Sequence, residues 1–259
     1  MGILHSKIVG KGVPLLILHG YFGMGDNWKS HANKFANEGF EVHLIDQRNH
    51  GRSFHSDLFN YELLANDLLN YIQYHSIQKP HILGHSMGGK TAMLFAVKYA
   101  DLLSKLVIAD ISPRQYPPHH HDILTALNSV DFNIQNTRKL VDSKLSELIP
   151  EMGVRQFLLK NVYRKNKEEL DFRFNLKVLT ANNQEVGRPL PLNTEFKGSV
   201  LFLFGSKSKY ITSEDIPLIK THFINSEMQE IINAGHWLHA ENPTDFFNQT
   251  LVFFKKIER

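Results

Sequence analysis

Residues 84–88 read Gly-His-Ser-Met-Gly, with a short apolar run before them (81–83) and a helix-patterned run after them (91–100). A G-x-S-x-G pentapeptide alone says little, but between a strand and a helix it implies a specific corner. The serine occupies a sharp strand-to-helix turn with strained dihedrals, and the flanking glycines let the two elements approach closely because they carry no Cβ. Such a turn pushes the Ser86 hydroxyl into a cleft at the carboxyl end of a sheet. The helix that begins beside it directs free N–H groups and a positive dipole end to the same place. Ser86 is therefore a candidate nucleophile, and the Met87 backbone N–H a candidate donor to the oxyanion that an attacked carbonyl would become.

The rest of the chain fits that corner. Continuous apolar runs at 14–20, 40–48, 81–86, 105–112, 199–206 and 228–236 lack polar alternation, as parallel strands covered on both faces do. Helical periods separate them. Leu63, Leu64, Leu68 and Tyr71 form one stripe, and Phe246, Phe247, Leu251 and Phe254 form another behind Pro243. Strand–helix alternation of this kind predicts a doubly wound α/β sheet. From about 112 to 197 the rhythm breaks: a proline-rich loop precedes three predicted helices, within 123–130, 137–149 and 154–165, and no buried strand is evident. We read this as a helical insertion above the sheet rather than a separate domain.

Composition excludes several classes. There are no cysteines, which removes disulfides, zinc–thiolate sites and a cysteine nucleophile, and fits a reducing, cytoplasmic setting. A net charge of +3 with no basic block gives no case for nucleic acid. No run approaches the ~18 apolar residues of a membrane span, and the N-terminus lacks a signal-peptide core. Met1-Gly2 with Ser6 formally matches a myristoylation pattern, which we read as chance. His119-His120-His121 looks like a metal tract, but adjacent side chains cannot all converge on one ion, and a solvated lid entrance is the simpler reading. No metal or organic cofactor is expected.

Among 15 histidines, position selects the base for Ser86. His236 follows the last predicted strand and precedes the last helix, and it fits better than His239, which lies further into the loop. His19 reads as a structural hydrogen-bonding residue.

The segments HGYFGMGDNW, IDQRNHGRS, GHSMGGKTAM, ADISP and NAGHWLHAENP stand in an order that resembles the α/β-hydrolase superfamily over essentially the full length. The chain is most similar to the YbfF-type small esterases. The resemblance implies an α/β-hydrolase fold: a mostly parallel, eight-stranded-type sheet flanked by helices, with core segments 1–111 and 198–259 and a helical lid at 112–197. It implies that Tyr21, after His19-Gly20, supplies the second oxyanion N–H, with Phe22 the next choice. It also implies an acid between Ser86 and His236. The usual slot, near Ser208, holds no carboxylate, so a change there is expected to matter little. In the esterases that the chain resembles, the acid comes from an earlier strand, which points to Asp110. Glu214 and Asp215 look like the start of a helix, and Asp46 like an organiser of its own loop. Phe157 or Leu158, with Phe22, Met87 and Trp237, would line an apolar pocket.

The expected activity is a serine hydrolase acting on small carboxylic esters or acyl thioesters through an acyl-enzyme, without nucleic-acid partners or stable membrane insertion. Three rival activities fit the same fold. Lyases of the menaquinone pathway carry a basic residue where Lys90 stands; here that lysine reads as solvated. The second rival is a cofactor-free perhydrolase, and the third is a ligand-binding protein without catalysis.

Overall fold

The computed structural model describes residues 2–118, 120–167 and 169–257. Met1 of the acylation pattern and His119 of the histidine run lie outside them. In chain order the first half comprises β1 (Ser6–Val9), β2 (Val13–Leu18), α1 (Lys29–Asn37), β3 (Phe40–Ile45), α2 (Tyr61–Tyr74), β4 (His81–His85), α3 (Met87–Lys98) and β5 (Leu106–Ala109). Then come α4 (His121–Asn128), α5 (Arg138–Leu145), α6 (Met152–Leu159), β6 (Val162–Arg164), β7 (Leu170–Phe172), α7 (Leu176–Ala181) and α8 (Asn183–Val186). The chain returns through β8 (Val200–Gly205), α9 (Ile216–His222), β9 (Ser226–Ile231), α10 (Leu238–Glu241) and α11 (Pro243–Lys255).

Among the described residues the main sheet has seven strands, in the order β1-β3-β2-β4-β5-β8-β9, rather than the eight expected. All pairings are parallel except β1 with β3. The sequence pattern does not predict β1. Its residues are only partly covered, so it has no apolar run to announce it, and Lys7 marks a solvated sheet edge. Alternate residues of the central strands enter different cores. Leu16, Leu18, Ile82 and Ile108 pack with Leu64, Leu68 and Phe95 of α2 and α3. Leu15, Ile17, Leu83 and Val107 pack with Phe35 of α1 and Phe246 and Phe253 of α11. Both faces are covered, which is why these strands read as unbroken apolar runs.

The segment between β5 and β8 departs from the three-helix expectation. The third predicted helix stops at Leu159, and Val162–Arg164 instead pairs antiparallel with Leu170–Phe172 as a separate two-stranded sheet. Asn161 sits at the break, fully buried, and its Nδ2 donates to the Phe22 carbonyl at 2.8 Å. That tertiary bond takes the place of another helical turn. Further bonds tie the segment to the core: the Tyr21 hydroxyl donates to the Leu179 carbonyl, and the Tyr61 hydroxyl to the Val186 carbonyl.

Lys90 is not solvated. It is 1% exposed, and its Nζ donates to the carbonyls of Arg114 and Arg188, where the chain leaves and re-enters the segment above α3. The helix is buried on nearly every side, so the side chain has no route to water and ends on backbone carbonyls instead. Burial, with the Arg114 charge beside it, pushes the ammonium down to about 7. Between about 7 and the ordinary value of 10.5, the unfolded chain then holds more protons than the folded one, so stability rises with pH through that window and is lost as pH falls through 7. Lys90→Met should remove that rise and cost about 1–3 kcal/mol by leaving two carbonyls unpaired. Thermal unfolding of both proteins from pH 6 to 10 checks this.

Candidate active site

Ser86 follows β4 directly and has φ +53° and ψ −118°. A left-handed conformation is costly for a residue with a Cβ and persists only where its surroundings impose it. Here the corner is squeezed from both sides. A Cβ on Gly84 would lie 2.3 Å from the Gly88 carbonyl oxygen, and one on Gly88 would lie 2.3 Å from the Leu18 oxygen. The two glycines thus seat the α3 N-terminus against β2 and β4, and the Ser86 N–H stays in the sheet by donating to the Ala109 oxygen at 3.0 Å.

Asp110 ends the neighbouring strand β5 in the same way. It too has a positive φ, +53°, and its N–H donates to the Leu203 oxygen at 2.8 Å. His236 comes from the turn between β9 and α10. Its Nδ1–H donates to Asp110 Oδ2 at 2.7 Å, and the Ser86 hydroxyl donates to its Nε2 at 3.0 Å. His85 steadies that turn by donating from Nε2 to the His236 carbonyl at 2.8 Å. The three residues singled out from the sequence are therefore brought into one hydrogen-bonded chain. His239 stands outside it.

Asp110 is fully buried, and burial pushes its carboxyl up to about 6. Hydrogen bonds from the Ser208 hydroxyl to Oδ2, 2.5 Å, and from the Gly205 N–H to Oδ1, 3.1 Å, pull the other way. The slot near Ser208 is thus not idle, contrary to expectation. It lacks a carboxylate but supplies a hydroxyl to the carboxylate on the next strand. Asp215 caps the turn before α9 and bonds Ser112 and Arg114, away from His236. Asp46 accepts from the Gly25 and Arg52 N–H groups, the loop-organising role read for it.

The loop after β2 closes the other side. Phe22, at φ +58°, donates its N–H to His50 Nε2 at 3.3 Å, which commits that donor elsewhere. Among the described residues, the N–H groups of Tyr21 and Met87 make no such bond within the protein. His19 is buried and structural: Nδ1 donates to the Gly20 oxygen and Nε2 accepts from the Gln47 N–H. Burial drives its pKa down to about 4, so the ring is neutral.

A cleft of about 240 Å³ opens over Ser86, with Phe22, Phe157 and Trp237 in its walls. The Phe157 and Trp237 rings are 5.7 Å apart. Leu158 is not in the wall. One residue along α6 turns it by about 100° into the buried core. Met87 is likewise buried in the core and contributes no side chain to the lining. The sequence does not place Tyr210 in this cleft, nor His120, which it shows only as part of the histidine run. Tyr210 stacks on the His236 ring at 3.7 Å, and His120 packs edge-on against Tyr21 at 5.1 Å. Among the described residues no His, Asp and Glu group could hold a metal ion, and no helix is long and apolar enough to cross a membrane.

Residues 13–243 match the family model described as alpha/beta hydrolase fold. The sn-1-specific diacylglycerol lipase ABHD11 of Danio rerio is 36% identical over 264 residues, covering 98% of this chain and 83% of the relative. Esterase YbfF of Escherichia coli K12 is 32% identical over 233 residues, covering 89% and 88%. The solved structure of a marine microorganism esterase is 41% identical and superimposes with a TM-score of 0.95, over 98% of this chain and 100% of that one. The chain belongs to the alpha/beta hydrolase family and is a hydrolase enzyme.

Proposed function

We propose that the protein hydrolyses small carboxylic esters or acyl thioesters by way of an acyl-enzyme on Ser86. The observation that carries this reading is the unbroken hydrogen-bonded chain from Asp110 through His236 to a strained, cleft-facing Ser86. His236 takes the Ser86 proton as the hydroxyl attacks the carbonyl, and then returns it to the leaving group. Asp110 holds the imidazole in the Nδ1–H tautomer and stabilises its charged form. The N–H groups of Met87 and Tyr21 receive the oxyanion, since Phe22 has given its own to His50. Water then enters on the same base and releases the acid. The relatives named esterase and lipase support ester chemistry. A lyase activity gains no support from Lys90, which lies under Tyr116 and Arg114 and outside the cleft wall.

The segment 112–197 serves as the lid in this reading, with Phe157 opposite Trp237 as its contribution to an acyl pocket. A cleft of about 240 Å³ suits short-to-medium acyl chains.

A fluorophosphonate probe should label Ser86, and Ser86→Ala should abolish both labelling and ester hydrolysis. Asp110→Asn should leave the fold intact and lower kcat by ~10³–10⁴. Ser208→Ala should lower it by about ten-fold, the ~1.4 kcal/mol of one charge-assisted bond. In the wild type, kcat/KM should fall as pH drops below about 6, because a protonated, uncharged Asp110 no longer stabilises the imidazolium that His236 becomes. Ser208→Ala removes a bond that favours the carboxylate, so this limb should move to higher pH. Near-full activity in Asp110→Asn would sink the assignment.

Across p-nitrophenyl esters of rising length, kcat/KM should climb a few-fold per carbon, following the ~0.8 kcal/mol of each buried methylene, and then stop. Phe157→Ala should move the optimum to longer chains. A flat profile, or a rise that continues into long-chain lipids, contradicts a small closed pocket.

A further inference from the structure

The Tyr21 N–H sits on a turn that its own residues disfavour. The Gly23 N–H closes this turn on the Gly20 oxygen at 2.9 Å, and Phe22 inside it has φ +58°. A bulky side chain in that left-handed region costs free energy and persists only where its surroundings impose the conformation. Glycine would adopt the same φ freely.

Two side chains impose it here. On one side, the Phe22 N–H donates to His50 Nε2 at 3.3 Å. The His50 ring is itself fixed, because its Nδ1–H donates to the Arg48 carbonyl at 2.9 Å. Burial drives its pKa down to about 3, which leaves Nε2 an acceptor. On the other side, the Phe22 carbonyl accepts from Asn161 Nδ2 at 2.8 Å. Asn161 is fully buried, and its backbone is held at both ends. Its N–H donates to the Leu158 oxygen at 3.0 Å, and its carbonyl accepts from the Arg173 N–H at 2.9 Å.

The consequence reaches Tyr21. Its N–H shares one peptide plane with the Gly20 carbonyl, and the two point in opposite directions. That carbonyl accepts from the Gly23 N–H and from His19 Nδ1, the latter at 2.8 Å, so the Tyr21 N–H is turned away from both. The plane lies beside the nucleophile, since a Cβ on Gly20 would come within 3.3 Å of the Ser86 Cβ. If Phe22 relaxed to a negative φ, the Gly23 N–H would leave the Gly20 oxygen, and one of the two bonds that fix the plane would go.

We propose that Asn161 is a positioning residue for the oxyanion: reaching in from the segment 112–197, it holds Phe22 at positive φ and so keeps the Tyr21 N–H aimed at the oxygen that becomes charged. This rests on the serine-hydrolase reading above, with Tyr21 as a donor.

Two probes separate positioning from plain support of the fold. Hydrolysis of p-nitrophenyl butyrate gives kcat and KM. An alkyl trifluoromethyl ketone reports on the charged oxygen: the Ser86 oxygen bonds to the ketone carbon, its proton passes to His236, and the former carbonyl oxygen takes the negative charge. Asn161→Leu fills the same space but cannot donate. It should lower kcat about ten-fold with KM little changed, and raise the ketone's Ki by about the same factor, which is the scale of an unsupported left-handed residue. A loss of folded protein lowers kcat but leaves Ki where it was, so an unstable variant does not mimic the effect. Asn161→Ala should behave alike. Phe22→Gly shortens the pocket wall and is slower on its own account. In that background either Asn161 substitution should cost less than about three-fold, because glycine holds the turn unaided. Equal losses in both backgrounds, an unchanged Ki, or a KM that rises as far as kcat falls overturns the role of Asn161 while ester hydrolysis stands. If wild-type Ser86 neither labels with a fluorophosphonate nor supports hydrolysis of the ester, the serine-hydrolase reading fails and the inference goes with it.

Discussion

The close approach of β4, α3 and β2 at the Ser86 corner is the constraint on which the rest of the site depends. Gly84 and Gly88 leave no room there for even a methyl group. The strain stored at Ser86 is tolerated because the serine N–H remains in the sheet while α3 is locked into the core behind it. With the corner fixed, the hydroxyl, the α3 N-terminus and the ends of β5 and β8 all face one cleft. Asp110 repeats the device on the adjacent strand, so two positive-φ residues at neighbouring strand ends aim their side chains at one imidazole.

Burial then sorts the charges. His19, His50 and His85 are enclosed, and desolvation drives them to about 4, about 3 and about 3, leaving neutral rings that serve as fixed donors and acceptors. They brace the loop after β2 and the turn that carries His236 without adding positive charge near the Ser86–His236 bond. Asp110 is the opposite case. Its carboxyl resists ionisation, and the hydroxyl of Ser208 and the N–H of Gly205 compensate by bonding the charged form. Buried charge is maintained here by directed hydrogen bonds rather than by a salt bridge to lysine or arginine.

The segment between β5 and β8 is tied down where it meets the cleft. Asn161 on Phe22, Tyr21 on Leu179 and Lys90 on the Arg114 and Arg188 carbonyls join its parts to the core. These buried polar contacts hold the segment against the core, and the Phe157 ring lies 5.7 Å from that of Trp237 in the cleft wall.

By itself the sequence determined the α/β class, six of the seven sheet strands, and the serine corner. Each of these rests on local pattern: unbroken apolar runs, 3.6-residue periods, and glycines where a Cβ cannot fit. It also pointed to His236 through its place after the last strand, and to Asp110 through the resemblance to esterases that take their acid from that earlier strand. Tertiary structure alone decided the rest. The edge strand β1 is half-solvated and carries no apolar signature. Helix α6 ends where Asn161 finds a partner 139 residues away in Phe22. Leu158 differs from Phe157 only in which side of a helix faces the core. Lys90 reads as a surface residue in the sequence because a lysine is assumed to reach water, yet its side chain ends on two carbonyls. Ser208 joins the site because β8 lies beside β5, so that its hydroxyl meets a carboxylate from 98 residues earlier. Contacts of that range leave no periodicity in the chain, since they depend on strand order and helix rotation rather than on neighbours in sequence.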